Sequence, residues 1–519
     1  MSSSSVTATA SKTSFLRDGM LLVLVVAIAK FGLHMIFNNR YGYFRDEFDY
    51  MACGDHLAWG YVDQPSLAPF LMRVSRELFG ESLRAVRLFP ALASSANVVL
   101  TAMIARELGG KSYALFLSAL AAAIAPMYLS NGGLFTTNFM EPLFWMGCAY
   151  FAILAIKRND PRYWVWFGVV AGLGLNNKYS ITVFGLGIVI GLALSDQRRI
   201  LWNRWLWLGG LAAFLIFLPN LIWNVQHHWP FVELMRNIRS EGRDVQLSVW
   251  QFFSQQTLLI GTLSAPIWMT GVVALLVCKS LRPYRLLGLC YFVAFTVFVV
   301  LHGKNYYLAP IYPMLLAAGA VMFERGLNRV RYGWVWQPLI AGTIFATGAW
   351  FAPLTVPILP VERFISYMNK LPIKVPRTER SHFAVVLPQH YADQFGWQEM
   401  AEAVAKIYNR LPPEQRAKTG IFGNNYGYAG AIDFFGPRLG LPKAISTHQT
   451  YWLWGPRNYT GESLIVLGDR RSSLEPKCQS IQEFDVSFGA YGLEHDPIFV
   501  CQGLKWNLQE IWPELKKWR

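Results

Sequence analysis

Residues 20–37 form an uninterrupted apolar run, MLLVLVVAIAKFGLHMIF, that decides the class of the protein. A helix needs about 20 mostly apolar residues to cross the hydrocarbon core of a bilayer. The residues before the run are polar, and no small-residue cleavage site follows it, so the sequence does not indicate a cleavable signal peptide. We predict a retained membrane helix here, preceded by a disordered, Ser-rich cytoplasmic tail at residues 1–18.

The composition of the whole chain points to a polytopic membrane protein. Of the 519 residues, 53% are hydrophobic and 15% are aromatic, which is more apolar and interfacial side chain than a soluble domain buries. The formal charge of +15 comes from short Lys and Arg clusters that lie between apolar runs. This distribution argues against a nucleic-acid partner and favours a role of the cations in membrane topology.

A scan for apolar segments predicts about eleven transmembrane helices and therefore a mostly α fold, with a membrane domain at residues 19–355. The approximate bounds of the helices are 19–37, 84–105, 112–130, 139–156, 163–176, 179–195, 205–222, 257–278, 286–301, 306–323 and 334–352. The fifth segment is short, and the fifth and sixth could form one unit that is broken around Lys178.

The cations are distributed unequally between the two sides of these helices. Each segment on one side holds two or three Lys or Arg residues, whereas the opposite loops at 131–138, 177–178 and 302–305 hold none, one and one. The positive-inside rule then places the N-terminus in the cytoplasm. An odd number of helices places the C-terminus outside.

From residue 356 onward, short alternating apolar runs such as HFAVVL and ESLIVLG replace the long apolar segments. A stretch with helical periodicity, QEMAEAVAKIYNRL, alternates with these runs. We expect residues 356–519 to form a soluble α/β domain on the outer side. Cys478 and Cys501 would then lie in an oxidising compartment. The sequence leaves two alternatives for them, a disulfide or a pair of buried free thiols.

Two outer segments, 38–83 and 223–256, are too long for simple turns and should contain short helices on the membrane surface. The first contains YGYFRDEFDYMACGDHLAWGYVDQPSLAPF at 41–70. Its five carboxylates are Asp46, Glu47, Asp49, Asp55 and Asp63. Carboxylates beside a membrane are costly to desolvate, so their density indicates a polar site. The alternative is a solvated loop whose acids pair with Arg40 and Arg45.

Five further motifs follow in order on the outer side: YVDQPSL, SLRAVRLFPAL, FTTNFMEPLFW, GLGLNNKYS and GKNYYLAPIYPMLLAAGA. With the acidic pair Asp46 and Glu47, they resemble the GT-C glycosyltransferases of the dolichyl-phosphate-mannose protein mannosyltransferase superfamily, which includes the bacterial aminoarabinose transferases. The resemblance covers the whole membrane part. It implies that Asp46 is the catalytic base, that Glu47 orients Asp46 or the acceptor, and that Tyr50 stands at the usual place of an aromatic.

Sugar transfer from a lipid phosphate also needs cations for the leaving phosphate. Lys178 stands at the outer end of a broken helix and Lys304 opens a helix, although a lysine at such a position can simply extend to the interface. The family position favours phosphate binding for both. Arg87 could serve likewise, whereas Arg84 is better suited to positioning the second helix at the interface.

The resemblance also implies a second acidic residue, which we assign to Glu141 with Asn138 as its neighbour. The match is imperfect, because the family pattern places an Asp two residues before the proline. Another departure is Gln64, where the aminoarabinose transferase has a lysine. Because this cation is missing, it is in doubt whether the chain uses the same donor as the aminoarabinose transferase or contacts the donor phosphate in the same way. The other predicted substrate-binding residues are Asp63 and Tyr306.

The resemblance therefore implies a glycosyltransferase, which we expect at the outer face of a bacterial inner membrane. The expected partners are a polyprenyl-phosphate sugar donor, an envelope lipid, glycan or protein acceptor, and membrane lipid. No cofactor is implied, because His227 and His228 are adjacent and cannot easily face one metal ion from a helix. A transporter or lipid flippase is the main alternative, but we find no internal repeat of the kind that many transporters have. A third alternative is a structural scaffold, which would not explain the acidic loop.

Overall fold

The computed structural model describes residues 19–372, 375–377, 379, 385–486, 491 and 497–519, so the predicted tail at 1–18 lies outside the described residues. The chain divides into two compact units. The helical unit comprises the chain up to Asn39, Arg84–Leu221 and Gln246–Pro360. The sheet unit comprises Arg40–Leu83, Ile222–Val245 and Val361–Arg519. The predicted outer segments thus fall largely in the same unit as the C-terminal residues.

Helices account for almost all of the helical unit. They are Met20–Phe37, Leu83–Val86, Leu88–Glu107, Ser112–Ile124, Pro126–Asn131, Glu141–Lys157, Tyr163–Leu175, Ile181–Ala193, Arg204–Gln226, Val249–Ile260, Ala265–Val277, Arg285–Val300, Tyr312–Leu327 and Gly333–Phe351. Short 3-10 helices at Lys279–Tyr284 and Asn305–Ile311 lead into two of them.

Five helical segments of the described chain are long and apolar enough to cross a membrane. They are Met20–Phe37, Leu83–Glu107, Arg204–Gln226, Lys279–Val300 and Asn305–Leu327. A sixth span is possible if a bent pair counts as one. The prediction of a polytopic, mostly helical membrane protein is confirmed, while the number of eleven spans stays a prediction.

Two predicted spans are not single straight helices. The segment predicted at 257–278 belongs to two helical pieces that meet at 101°. The bend lies at Gly261, whose φ of 100° a residue with a side chain rarely adopts. The segment predicted at 112–130 breaks before Pro126, because Ala125 takes an extended conformation as residues before proline do.

The sheet unit contains four strands, with short helices around them. The strands are β1 (Thr419–Gly423), β2 (Ser463–Leu467), β3 (Cys478–Phe484) and β4 (Ile498–Leu504), in the order β1-β2-β4-β3. β1 and β2 are parallel and the other pairs are antiparallel. The principal helices are Arg45–Asp55, Leu67–Phe79, Pro230–Ser240, Val361–Asn369, Trp397–Arg410 and Tyr426–Phe435.

This architecture confirms the predicted small α/β domain. The run ESLIVLG contains β2, whose five residues are all buried, and the periodic stretch QEMAEAVAKIYNRL lies in the helix Trp397–Arg410. The predicted strand HFAVVL lies partly outside the described residues. Both long outer segments contain short helices, and the position of those helices on a membrane surface stays a prediction.

Cys478 and Cys501 form a disulfide that joins β3 to β4, whereas the other four cysteines are free thiols. We expect thiol labelling of unfolded, unreduced protein to modify four cysteines, and labelling after reduction to modify all six. Peptide mapping should place the two additional labels on Cys478 and Cys501. Six labels without reduction would contradict the bond.

Candidate active site

The predicted catalytic pair opens the helix Arg45–Asp55 of the sheet unit. Glu47 is fully buried, and its Oε2 accepts the backbone N–H of Phe44 at 2.8 Å. This contact satisfies a donor at the helix start that would otherwise have no helical partner. Glu47 therefore fixes the start of the helix that carries Asp46, and its predicted role in orienting Asp46 or the acceptor stays a prediction.

Asp46 remains accessible, because 34% of its side chain is exposed. Its Oδ1 accepts a hydrogen bond from the Tyr426 hydroxyl at 2.6 Å and lies 3.6 Å from Nε of Arg45. These contacts hold one carboxylate oxygen while the side chain keeps an exposed portion. That arrangement suits a base that must reach a hydroxyl group of a bound substrate.

Two more carboxyl groups of the same segment interact with Asp46: Asp49 is buried, with 3% exposure, and Asp63 is half-buried. Burial, together with the charges of Asp63 and Asp46, raises the pKa of Asp49 well above its usual range. Burial also raises the pKa of Asp63 to about 7, and the charge of Asp46 acts in the same direction. One oxygen of each, Oδ1, is buried without a hydrogen-bond partner in the described structure. These two carboxyls therefore retain protons at pH values where an exposed aspartate is ionised.

Gln64 contacts the buried Asp49. Its side-chain amide donates a hydrogen bond to Oδ2 of Asp49 at 3.1 Å, and only 3% of the residue is exposed. Tyr50 is also buried, with 7% exposure. The structure thus places both residues in the interior of the sheet unit, and their predicted contacts with substrate stay predictions. The sequence analysis counts Asp49 among the carboxylates of the loop but gives it no catalytic or substrate-binding role.

A second group of predicted residues meets in the helical unit around Lys178. Its Nζ lies 2.7 Å from Oδ1 of Asn138 and 3.0 Å from Oε2 of Glu141. The ammonium also lies 4.6 Å from the ring centre of Tyr307 and 5.7 Å from that of Tyr306. The Lys178 side chain is 19% exposed. Four residues predicted from the motifs therefore form one cluster, to which Tyr307 is an addition.

The surroundings of Lys178 follow from the break between the helices Tyr163–Leu175 and Ile181–Ala193. Asn176 donates to the carbonyls of Gly172 at 3.1 Å and Ile216 at 2.9 Å, and Asn177 donates to the carbonyl of Thr137 at 2.8 Å. These two side chains therefore tie the broken segment to the preceding helix, to the helix Arg204–Gln226 and to the turn at Thr137.

Glu141 is the buried anion of the Lys178 cluster, with 3% exposure at the start of its helix. The Ser180 hydroxyl donates to Oε1 of Glu141, while Oε2 faces Lys178. Burial of a carboxylate among apolar helices costs free energy unless such partners satisfy it. The ion pair therefore holds the Lys178 ammonium in a fixed position.

The two arginines at the second membrane helix contact the first one. Arg87 is 1% exposed and donates to the carbonyl of Asn38 at 2.7 Å, and Arg84 donates to the carbonyl of Met35 at 2.9 Å. These carbonyls end the helix Met20–Phe37 and lack helical partners. The structure therefore supports positioning for Arg84. It gives Arg87 an internal contact, and phosphate binding by Arg87 stays a prediction.

Lys304 is partly exposed and immediately precedes the 3-10 helix Asn305–Ile311, which carries Tyr306 and Tyr307. Among the described residues, no group of three or more His, Cys, Asp or Glu side chains is arranged to hold a metal ion. The His227 ring stacks on Trp223 with 4.1 Å between ring centres. This contact agrees with the packing interpretation of the His pair.

Comparison with known proteins identifies a consistent set of relatives. A family model described as dolichyl-phosphate-mannose-protein mannosyltransferase matches residues 63–223. The lipid A galacturonosyltransferase RgtD of Rhizobium johnstonii is 26% identical over 41% of this chain and 44% of its own. An undecaprenyl phosphate-alpha-4-amino-4-deoxy-L-arabinose arabinosyl transferase of Pseudomonas fluorescens is 26% identical over 39% of this chain and 38% of its own. The chain thus spans less than half the length of these two curated relatives.

Solved structures match over nearly the whole chain. The crystal structure of ArnT from Cupriavidus metallidurans bound to undecaprenyl phosphate has a TM-score of 0.62 at 14% identity, covering 92% of this chain and 97% of ArnT. The apo state has a TM-score of 0.57 at 16% identity, covering 95% and 98%. These matches confirm the predicted resemblance at the level of the fold, and the names of the curated relatives favour an enzyme over a transporter.

Proposed function

We propose that the protein transfers a sugar from a polyprenyl-phosphate donor to an acceptor of the cell envelope. The proposal starts from its GT-C fold, which is of the aminoarabinose transferase type. The proposal depends on one observation: Asn138 and Glu141 hold the ammonium group of Lys178 in the helical unit. A fixed cation there is suited to a lipid phosphate. The undecaprenyl phosphate bound to the similar ArnT structure supports this choice of donor.

The proposed reaction is a direct displacement. Asp46 accepts the proton of the acceptor hydroxyl, whose oxygen forms a bond to the anomeric carbon as the bond from that carbon to the phosphate oxygen breaks. The polyprenyl phosphate leaves with the electron pair, and Lys178 and Lys304 stabilise its charge. A single displacement inverts the anomeric centre and requires no protein nucleophile. The acceptor is an envelope lipid, glycan or protein.

Mass spectrometry of envelope lipids and glycans from a deletion strain tests this proposal. We expect one envelope species to lose the mass of one sugar residue, because its final transfer step is missing, and the matching polyprenyl-phosphate sugar to accumulate. Complementation with the wild-type chain should restore both. An unchanged set of envelope species and donor lipids would contradict a transferase function.

The proposal includes a topology in which about eleven segments cross the inner membrane, the N-terminus is cytoplasmic and the sheet unit is periplasmic. We expect reporter fusions after residues 160, 200 and 330 to report the cytoplasm, because Lys and Arg cluster there. Fusions after residues 240 and 519 should report the outside. A cytoplasmic signal at 519 would overturn both the number of spans and the proposed location of Asp46.

A further inference from the structure

The helix Tyr426–Phe435 packs closely on the helix that carries Asp46. A Cβ atom on Gly427 would lie 2.5 Å from Cγ of Arg45, and one on Gly430 would lie 2.7 Å from Cβ of Phe48. Side chains at these two positions would push the helices apart. The small residues therefore allow an approach that brings a residue from the C-terminal part of the sheet unit to the acidic loop.

The start of that helix is fixed by its own capping contacts. The Asn425 side-chain oxygen accepts the backbone N–H groups of Gly427 at 2.8 Å and Tyr428 at 3.2 Å. Such a cap defines where the first helical residues lie. It holds Tyr426 at the position from which its hydroxyl donates to Oδ1 of Asp46 at 2.6 Å.

Two side chains lie close to the Tyr426 ring. The Arg45 guanidinium lies 5.8 Å from the ring centre, and the centre of the His448 ring lies 5.2 Å from it. Burial lowers the pKa of His448 well below its usual range, so this ring is neutral. Burial and the charge of Asp46 raise the pKa of Tyr426, so the phenol remains a proton donor.

We infer that Tyr426 is a positioning residue for the catalytic base, an inference that rests on the proposed function. By donating to Oδ1, the phenol orients the carboxylate so that Oδ2 can receive the acceptor proton. A hydrogen bond to a carboxylate also stabilises its charged form. The C-terminal part of the sheet unit therefore contributes directly to the state of Asp46.

Other charged groups act on the same carboxylate, and they set the background of any pH experiment. Arg45 and Asp49 belong to the helix of Asp46, Asp63 belongs to the following loop, and Arg243 acts on Tyr426 from another segment. Tyr426→Phe removes one hydroxyl group and leaves all of these charged residues in the chain. The pH profile of Tyr426→Phe therefore isolates the contribution of one hydrogen bond.

The test compares the pH dependence of sugar transfer by full-length wild-type protein and Tyr426→Phe. We expect the variant to lose about 10-fold in turnover with an unchanged KM for the donor, because the carboxylate is less well oriented. The acidic limb of its profile should move about one unit toward higher pH. Above that limb, only the loss that comes from poorer orientation should remain.

Tyr451→Phe is the matched control. The Tyr451 hydroxyl donates to Oδ2 of Asp433 at 3.0 Å, so this variant also removes a buried hydrogen bond between a tyrosine and an aspartate in the same unit. Both variants should lower the melting temperature to a similar extent. Only Tyr426→Phe should move the acidic limb.

Three results separate the possible failures. If the wild-type protein transfers no sugar, the proposed function fails before Tyr426 is tested. If the wild-type protein is active and folded Tyr426→Phe has the same turnover and acidic limb, the inference about Tyr426 is overturned. If Tyr426→Phe does not fold, 3-fluorotyrosine at position 426 replaces it. This stronger donor should move the limb toward lower pH, and an unmoved limb would again overturn the inference.

Discussion

Asp46→Asn is expected to lower turnover at least ~100-fold, the loss typical of removing a general base. Asparagine has nearly the same volume as aspartate, and its amide oxygen can still accept the Tyr426 hydroxyl, but it cannot take the acceptor proton. The protein should therefore fold, insert and bind the donor lipid as before. Sugar transfer by purified variant, together with donor binding and melting temperature, measures this separation of chemistry from binding.

Asp55→Asn is the control, since it makes the same substitution on the same helix. Asp55 forms partly exposed ion pairs with Arg76 at 2.7 Å and Arg73 at 3.5 Å, and such pairs contribute little to stability. This variant should retain its activity. A folded Asp46→Asn protein with the wild-type rate would remove Asp46 from the mechanism and make Glu47 and Glu141 the next candidates. If none of the three single substitutions lowered the rate of sugar transfer, the transporter alternative would be favoured.

Lys178→Ala should produce a different defect. We expect the KM for the donor to rise and turnover to fall, together by about 10- to 100-fold in kcat/KM, because the phosphate loses a charge-assisted partner both when bound and when leaving. The variant also leaves Glu141 buried without its cation, so a lower melting temperature is expected as well. Steady-state kinetics against donor concentration would separate this pattern from that of Asp46→Asn.

The double variant Lys178→Ala/Glu141→Gln distinguishes phosphate binding from structural support. Glutamine removes the unpaired buried charge and can still accept the Ser180 hydroxyl. Stability should therefore recover while the donor KM stays high. If kcat/KM recovers together with the melting temperature, Lys178 acts only as the partner of Glu141.

The Lys178 cluster shows why part of the site could be predicted from the sequence. Asn138, Lys178 and Tyr306 lie at or next to three loops that the positive-inside rule predicts on one side of the membrane. Loops predicted on the same side indicate that motifs far apart in sequence can meet. The structure brings them together around one ammonium group. Glu141 joins them despite its imperfect match to the family pattern.

The contacts around Asp46 could not be predicted in the same way. Tyr426 lies 380 positions further along the chain, and the motif around it, YGYAGA, has the small residues of any close helix contact. Only the fold of the sheet unit brings it to the acidic loop. The buried capping contact of Glu47 was equally hidden, because an adjacent Asp and Glu look alike in sequence until a helix start distinguishes them.

The most direct test of the account is a transfer assay in proteoliposomes that contain the full-length protein and labelled polyprenyl-phosphate sugars from the deletion strain, together with envelope lipids and glycans from the same strain. We predict that the label moves to an envelope acceptor and that one polyprenyl phosphate is released for each sugar transferred, with wild-type protein but not with Asp46→Asn. Donor lipid that crosses the bilayer with its bond to the sugar intact, and without label on any acceptor, would contradict the account and identify a transporter.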